Sequence, residues 1–166
     1  MKYAFLGPES TGKTTTALEI VQNLNGVLVP EVARAYLNDK GLDYTPTDIE
    51  EIAKQQLKTE LELTDQFPER IIICDTELIT IEIWLEFYGF EVPSWIPNFI
   101  YQSHYENYFL FDIDLPWVSD NLRSNPADRD VLLKCFQRKL NYYNKSWTLI
   151  SGINNARTQR VLDLIF

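Results

Sequence analysis

Residues 7 to 14 have the composition and spacing of a loop that binds the phosphates of a nucleotide. They read Gly-Pro-Glu-Ser-Thr-Gly-Lys-Thr and match G-x-x-x-x-G-K-[ST] at every constrained position. Glycines let the backbone turn so that successive amide groups point into one concavity, and the following helix adds partial positive charge there. This chemistry suits a polyphosphate, and the pattern leaves ATP and GTP as alternatives.

The neighbouring segments favour this interpretation over a chance match. The apolar residues 3–6 predict a buried strand, and residues 15–24 predict a helix with one apolar face. Lys13 is expected to reach the β- and γ-phosphates, and the Thr14 hydroxyl is expected to hold Mg²⁺. The predicted nucleotide-binding residues of this segment are Gly7, Glu9, Ser10, Thr11, Gly12, Lys13, Thr14 and Thr15.

Two acidic residues follow predicted strands and are candidates for chemistry. Asp75 follows the apolar residues 71–74, where a carboxylate can hold Mg²⁺, accept a proton from an attacking hydroxyl or bind a substrate hydroxyl. Alternatively, Asp75 caps the next helix. Glu31 follows the apolar run 27–30 and is a second candidate general base. The sequence does not decide between the two acids.

Arginines and one tryptophan complete the candidate site. Arg34, three residues beyond Glu31, either binds a phosphate or substrate oxygen or pairs with that acid. Arg123 and Arg129 lie in or beside a polar segment of the length of a lid, approximately residues 115–130, and are expected to contact the nucleotide, since an arginine can bind two phosphate oxygens. Alternatively, these two arginines form surface ion pairs with neighbouring aspartates. The predicted catalytic residues are Lys13, Asp75, Glu31, Arg123 and Arg129.

Trp117 lies in the same polar segment. Its indole face could stack on a planar or cationic ring, whereas most other aromatic residues of the chain are interpreted as packing.

Five short apolar strands alternate with helices along the chain. This alternation predicts an α/β fold with a five-stranded parallel sheet covered by helices on both faces, in three layers. Ligands of such sheets gather at the carboxyl ends of the strands. The predicted strands are 3–6, 27–30, 70–74, 108–111 and 147–150, and the predicted helices are 15–24, 49–64, 77–88, 98–105, 129–142 and 155–164.

Composition narrows the classes of function. A chain of 166 residues predicts one domain, and a net charge of −9 argues against a nucleic-acid partner. No apolar stretch approaches the roughly 20 residues of a membrane span, and the first segment does not read as a signal peptide. Two cysteines without a disulfide framework favour a cytoplasmic location. The oligomeric state is not predicted.

Four segments, taken in order, resemble the ribosylnicotinamide kinase domain of NadR proteins. The segments are residues 7–14, residues 31–36 (Glu-Val-Ala-Arg-Ala-Tyr), residues 74–80 (Cys-Asp-Thr-Glu-Leu-Ile-Thr) and residues 114–123 (Asp-Leu-Pro-Trp-Val-Ser-Asp-Asn-Leu-Arg). The phosphate-loop pattern is generic, but its Gly-Pro-Glu-Ser opening and the two later motifs, Asp-Thr-Glu and Pro-Trp-Val-x-Asp-x-Leu-Arg, are specific. The resemblance extends over nearly the whole chain.

The resemblance implies a P-loop kinase-like, adenylate-kinase-like fold with a short lid. It implies ATP- and Mg²⁺-dependent phosphorylation of the 5′-hydroxyl of a small-molecule substrate, ribosylnicotinamide, to nicotinamide mononucleotide. Trp117 would stack on the pyridinium ring, Asp120 would contact the substrate from the lid, and Arg123 and Arg129 match the lid arginines. The implied substrate-binding residues are Glu31, Arg34, Asp75, Trp117 and Asp120, and the implied metal ligands are Thr14 and Asp75.

NadR proteins also carry a helix-turn-helix and a nucleotidyltransferase domain, for which 166 residues leave no room. We therefore expect a stand-alone kinase module. The alternatives are a kinase for another nucleoside or metabolite and a nucleotide-dependent regulatory module. The lid arginines and the acid after the second strand favour an enzyme.

Overall fold

A computed structural model describes residues 1–41, 43–119 and 126–166. The strands are β1 (Lys2–Leu6), β2 (Val27–Val29), β3 (Ile72–Asp75), β4 (Asn107–Phe111) and β5 (Trp147–Ile150). The α-helices are α1 (Lys13–Leu24), α2 (Val32–Lys40), α3 (Pro46–Gln66), α4 (Leu78–Phe87), α5 (Trp95–Gln102), α6 (Arg129–Tyr142) and α7 (Ala156–Ile165). The strands form one sheet in the order β2-β3-β1-β4-β5, and all neighbours are parallel. The predicted sheet is confirmed.

Alternate residues of β1 face opposite sides of the sheet and belong to two separate cores. Phe5 packs with Ile20 of α1 and Val161 of α7 on one side. Ala4 and Leu6 belong to the larger core on the other side, which α2 to α6 cover. Helices therefore cover both faces of the sheet, which is the predicted three-layer arrangement.

The loop after β1 crosses the sheet edge in close contact with β4. Gly7 has a φ of +135°, and a Cβ atom on this residue would lie 2.7 Å from the carbonyl oxygen of Phe111. Both the backbone conformation and the lack of space require glycine at this position. The loop that follows Gly7 is thereby fixed over the carboxyl ends of the strands.

Two helices differ from the sequence prediction. The segment 32–40 forms α2, which is not among the predicted helices. Helix α5 begins at Trp95, three residues before the predicted start at residue 98. Pro97 lies in the first turn of α5, where a missing amide hydrogen removes no helical hydrogen bond.

The predicted lid is described only at its two ends. Asp120 and Arg123 lie outside the described residues, so their predicted contacts remain predictions. Within residues 1–41, 43–119 and 126–166, no helix combines the length and the apolar character that crossing a membrane requires.

Glu77 is a buried acid at the start of α4. It is 2% exposed, and its carboxylate accepts a hydrogen bond from the amide of Ile79 at 2.9 Å, which caps α4. Burial raises the pKa of Glu77 to about 8; Glu60 and Glu82 act in the same direction, and Lys145 opposes them. The folded protein therefore binds this proton more tightly than the unfolded chain. The resulting stabilisation is complete at acidic pH and is lost as the pH rises towards 8.

We predict that Glu77→Gln makes the protein relatively more stable as the pH rises. The free energy of unfolding of the variant minus that of the wild type should increase by about 1–3 kcal/mol between about pH 5 and about pH 8, because glutamine keeps the cap without the charge. Urea unfolding at both pH values measures this difference. The exposed Glu69→Gln is the control, and a difference independent of pH would contradict the assignment.

Candidate active site

The loop formed by residues 7–14, called the phosphate loop below, curves around the ammonium group of Lys13. The Nζ atom donates hydrogen bonds to the carbonyl oxygens of Gly7 and Pro8, both at 2.8 Å. The Thr11 hydroxyl donates to the Pro8 carbonyl at 2.9 Å. Lys13 therefore supports the curvature of the loop and places a cation at its base.

Asp75 and Thr14 join the phosphate loop to β3. The Thr14 hydroxyl donates to Oδ2 of Asp75 at 2.6 Å, and Asp75 is 1% exposed. The other carboxylate oxygen, Oδ1, is buried and has no hydrogen-bond partner among the residues that the structure describes. The helix-cap alternative for Asp75 is wrong, because Glu77 caps α4.

The Thr14–Asp75 pair has the ligand chemistry that Mg²⁺ prefers. Nucleotide enzymes commonly bind Mg²⁺ through one or two carboxylates together with substrate phosphates and water, rather than in a complete protein cage. Outside the gaps at residue 42 and residues 120–125, no cluster of three or more His, Cys, Asp or Glu side chains could hold a metal ion. The buried Oδ1 atom and the adjacent hydroxyl therefore fit a Mg²⁺ ion that arrives with a nucleotide.

Glu31 and Arg34 form an ion pair beside the phosphate loop. The Nε atom of Arg34 lies 3.5 Å from Oε2 of Glu31, with the two side chains 41% and 27% exposed. Burial raises the pKa of Glu31, against the effect of Lys13, and burial lowers the pKa of Lys13, against the effects of Asp75 and Glu31. The two acids and the lysine thus form one electrostatic group. Within it, Glu31 has the raised basicity of a proton acceptor.

A cavity of about 220 Å³ opens beside the phosphate loop. It brings together the predicted nucleotide-binding residues with Glu31 and Arg34. It is also lined by Tyr44, Trp84 and Tyr88, which are called the aromatic wall below. The same cavity therefore offers backbone amides, a lysine and aromatic rings.

The sequence analysis missed the aromatic wall, whose members it interpreted as packing. The ring centroid of Tyr44 lies 5.0 Å from that of Trp84, at 76°, and 6.1 Å from that of Tyr88. The indole nitrogen of Trp84 donates to the Tyr44 hydroxyl at 3.2 Å. Burial raises the pKa of Tyr44 to about 12, so the hydroxyl stays protonated. No local pattern could have found this group, because Tyr44 follows α2 whereas the other two belong to α4 and its end.

Trp117 and Arg129 lie on the outer side of the phosphate loop. Arg129 donates to the carbonyl oxygens of Leu115 at 2.9 Å and Ser10 at 3.2 Å, and its guanidinium carbon lies 6.0 Å from the Trp117 ring centroid. The Ser10 hydroxyl also donates to the Val118 carbonyl at 3.0 Å. Neither Trp117 nor Arg129 lines the cavity in the described part of the chain. Arg129 instead attaches the start of the predicted lid, which includes Trp117, to the phosphate loop.

Arg157 is a further positioning residue that the sequence analysis missed. It is 2% exposed and donates to the carbonyl oxygens of Thr11 at 2.7 Å, Gly152 at 2.7 Å and Asp112 at 3.2 Å. It also forms an ion pair with Asp114. One buried side chain thus connects the phosphate loop to the ends of β4 and β5. An arginine in a helix gives no sequence signal for such a role.

Comparisons with known proteins agree with this architecture. A family model described as AAA domain matches residues 2–157. The trifunctional NAD biosynthesis/regulator protein NadR of Salmonella typhimurium is 24% identical over 143 residues, which cover 82% of this chain and 34% of the relative.

Solved structures show the same fold. A NadR protein in complex with NR has a TM-score of 0.81 at 15% identity, covering 99% of this chain and 49% of that chain. Thymidylate kinase from Ehrlichia chaffeensis has a TM-score of 0.73 at 14% identity, covering 100% of this chain and 98% of that chain. This chain spans about a third of the curated NadR relative and about half of the solved NadR chain. The resemblance to NadR proteins and the P-loop kinase fold are confirmed, and the chain belongs to the AAA domain family.

Proposed function

We propose that this chain is an ATP-dependent kinase that phosphorylates the 5′-hydroxyl of ribosylnicotinamide and releases nicotinamide mononucleotide and ADP. The observation that carries this proposal is one cavity that joins the phosphate loop to the aromatic wall. A triphosphate held by the phosphate loop and a planar base held by the aromatic wall would have the ribose between them. The likeness to a NadR structure described with NR supports this choice of acceptor.

The phosphate loop supplies the electrostatic part of catalysis. Phosphoryl transfer spreads negative charge over the phosphate oxygens, and fixed positive groups stabilise that charge. Lys13, the loop amides and the start of α1 are such groups. Bound with the nucleotide beside Thr14 and Asp75, Mg²⁺ would neutralise further phosphate charge.

Glu31 is the proposed general base. A base must reach the acceptor hydroxyl directly or through one water molecule, and Glu31 lines the cavity. Its raised pKa increases its affinity for the proton. Asp75 already accepts the hydrogen bond of Thr14, which suits it for the metal instead.

We propose that the predicted lid closes over the bound substrates. Arg129 is anchored beside the phosphate loop through Ser10 and Leu115. From this position, we propose that Arg129 turns towards the nucleotide when Arg123 and Asp120 close over the acceptor. Closure would exclude the water that otherwise competes for the phosphoryl group.

The second candidate is a kinase for another nucleoside or a nucleotide, which the fold shared with thymidylate kinase favours. The aromatic wall accepts any planar base, so the choice of acceptor is the point to test.

We predict that the purified chain, given ATP and Mg²⁺, releases ADP in amounts equal to phosphorylated acceptor, and fastest with ribosylnicotinamide among a panel of nucleosides, thymidylate and ribosylnicotinamide. Lys13→Ala should lower kcat/KM by about 10²–10³-fold, because the transferred phosphoryl group loses the fixed positive charge of the lysine. Coupled ADP detection measures the rate for each acceptor and for the variant, and mass spectrometry identifies the phosphorylated product. If another acceptor reacts faster, it replaces ribosylnicotinamide as the proposed acceptor. ATP binding without any turnover stimulated by an acceptor would overturn the kinase proposal.

We predict that Asp75 and Glu31 have separable roles in the reaction. Asp75→Asn should raise the Mg²⁺ concentration for half-maximal rate by about 10–100-fold, whereas Glu31→Gln should lower kcat by about 10²–10⁴-fold without that change. The wild-type rate should fall as the pH drops through the raised pKa of Glu31, since the protonated acid cannot accept a proton. Mg²⁺ titrations and pH profiles test this pair, and the reverse pattern would exchange the assignments.

We predict that Trp84→Leu raises the KM for the acceptor about tenfold, with a smaller effect on the KM for ATP, because it removes a stacking face. Trp95→Leu is the matched control, since Trp95 donates to Glu50 and does not line the cavity. Initial rates over both substrates give the two constants. A rise in the acceptor KM with Trp117→Leu but not Trp84→Leu would support the stacking role that the sequence resemblance implied for Trp117.

A further inference from the structure

Glu9 places a carboxylate in the phosphate loop. The loop and the start of α1 favour anions, and a carboxylate beside bound phosphates repels them. Glu9 nevertheless lines the cavity, and its Oε2 atom is shielded from solvent. A carboxylate oxygen that is shielded from water attracts a cation in the same cavity more strongly than one in bulk solvent.

The field of Glu9 acts in two directions. It favours the charged form of Lys13, and it contributes to the raised pKa of Tyr44 in the aromatic wall. The carboxylate therefore influences both the phosphate loop and the aromatic wall.

The aromatic wall is the second feature of the cavity that favours a cation. The faces of Trp and Tyr rings carry negative electrostatic potential and attract cations, most strongly where water is excluded. Tyr44 and Trp84 are joined by a hydrogen bond and an edge-on ring contact. A ring that enters the cavity thus meets both the aromatic wall and the field of the Glu9 carboxylate.

We propose that Glu9 selects acceptors whose ring carries a positive charge, such as a pyridinium, over neutral rings of the same shape. This inference rests on the proposed function, because it assumes that the acceptor ring enters the cavity at the aromatic wall. It assigns Glu9 to the acceptor, whereas the sequence pattern had grouped it with the nucleotide-binding residues. Charge recognition comes from the pair of features, the carboxylate and the ring faces, and either alone would discriminate less.

The test compares two ligands that differ in charge and hardly in shape. Ribosylnicotinamide is the cation, and the riboside of benzamide, with carbon in place of the ring nitrogen, is the neutral analogue. Dissociation constants are measured by calorimetry with the wild type and with Glu9→Gln, both saturated with a non-hydrolysable ATP analogue and Mg²⁺. Glu69→Gln, an exposed change, is the control for net charge, and thermal unfolding verifies that each variant is folded.

The wild type should bind the cation at least about tenfold more tightly than the neutral analogue, and Glu9→Gln should reduce this ratio at least about fivefold, since glutamine keeps the shape and loses the charge. Equal affinities in the wild type would overturn the proposal without any variant. A ratio unchanged by Glu9→Gln would overturn it too, and would leave Glu9 as a support of Lys13.

Failure of the proposed function has a different signature. If the cation binds selectively through Glu9 but no phosphorylated product forms, the selectivity proposal stands and the kinase proposal fails. If ribosylnicotinamide is phosphorylated with a charge ratio that Glu9→Gln does not change, the kinase proposal stands and the selectivity proposal fails.

Discussion

The close contact between the phosphate loop and the carboxyl end of β4 determines the geometry of the whole site. Gly7 has a positive φ, and a Cβ atom at this position would lie only 2.7 Å from the carbonyl oxygen of Phe111. Only glycine fits both constraints. Because the loop lies directly on the strand, α1 begins at the sheet edge, and its partial positive charge is directed to the cavity. Catalysis by positioning depends on such fixed distances.

Two side-chain connections hold the loop against the remaining strands. Arg157 links the Thr11 carbonyl to the ends of β4 and β5, and the hydrogen bond from Thr14 to Asp75 links the loop to β3. Arg157 and Asp75 are 2% and 1% exposed, so the loss of either connection would leave a buried polar side chain without that partner. The phosphate loop is thus part of the sheet edge rather than a surface loop, which suits a site that must place charge accurately.

The parts of the site that depend on neighbouring residues could be predicted from the sequence, and the parts that depend on distant contacts could not. The phosphate loop, the apolar strands and an acid after β3 each leave a local pattern. The aromatic wall leaves none, because Tyr44 meets Trp84 only after α4 has packed against α3. Arg157 resembles a surface arginine until the fold buries it. Trp117, which the sequence singled out, lies against Arg129 outside the cavity, since Arg129 attaches that segment to the phosphate loop.

The central claim is that one cavity holds a triphosphate and an acceptor nucleoside in line. A crystal structure of the chain with a non-hydrolysable ATP analogue, Mg²⁺ and ribosylnicotinamide measures this most directly. We expect the phosphates within residues 7–14, the pyridinium ring against the aromatic wall, and the 5′-oxygen about 3–3.5 Å from the γ-phosphorus. A triphosphate bound away from that loop, or an acceptor bound outside the cavity, would contradict the claim.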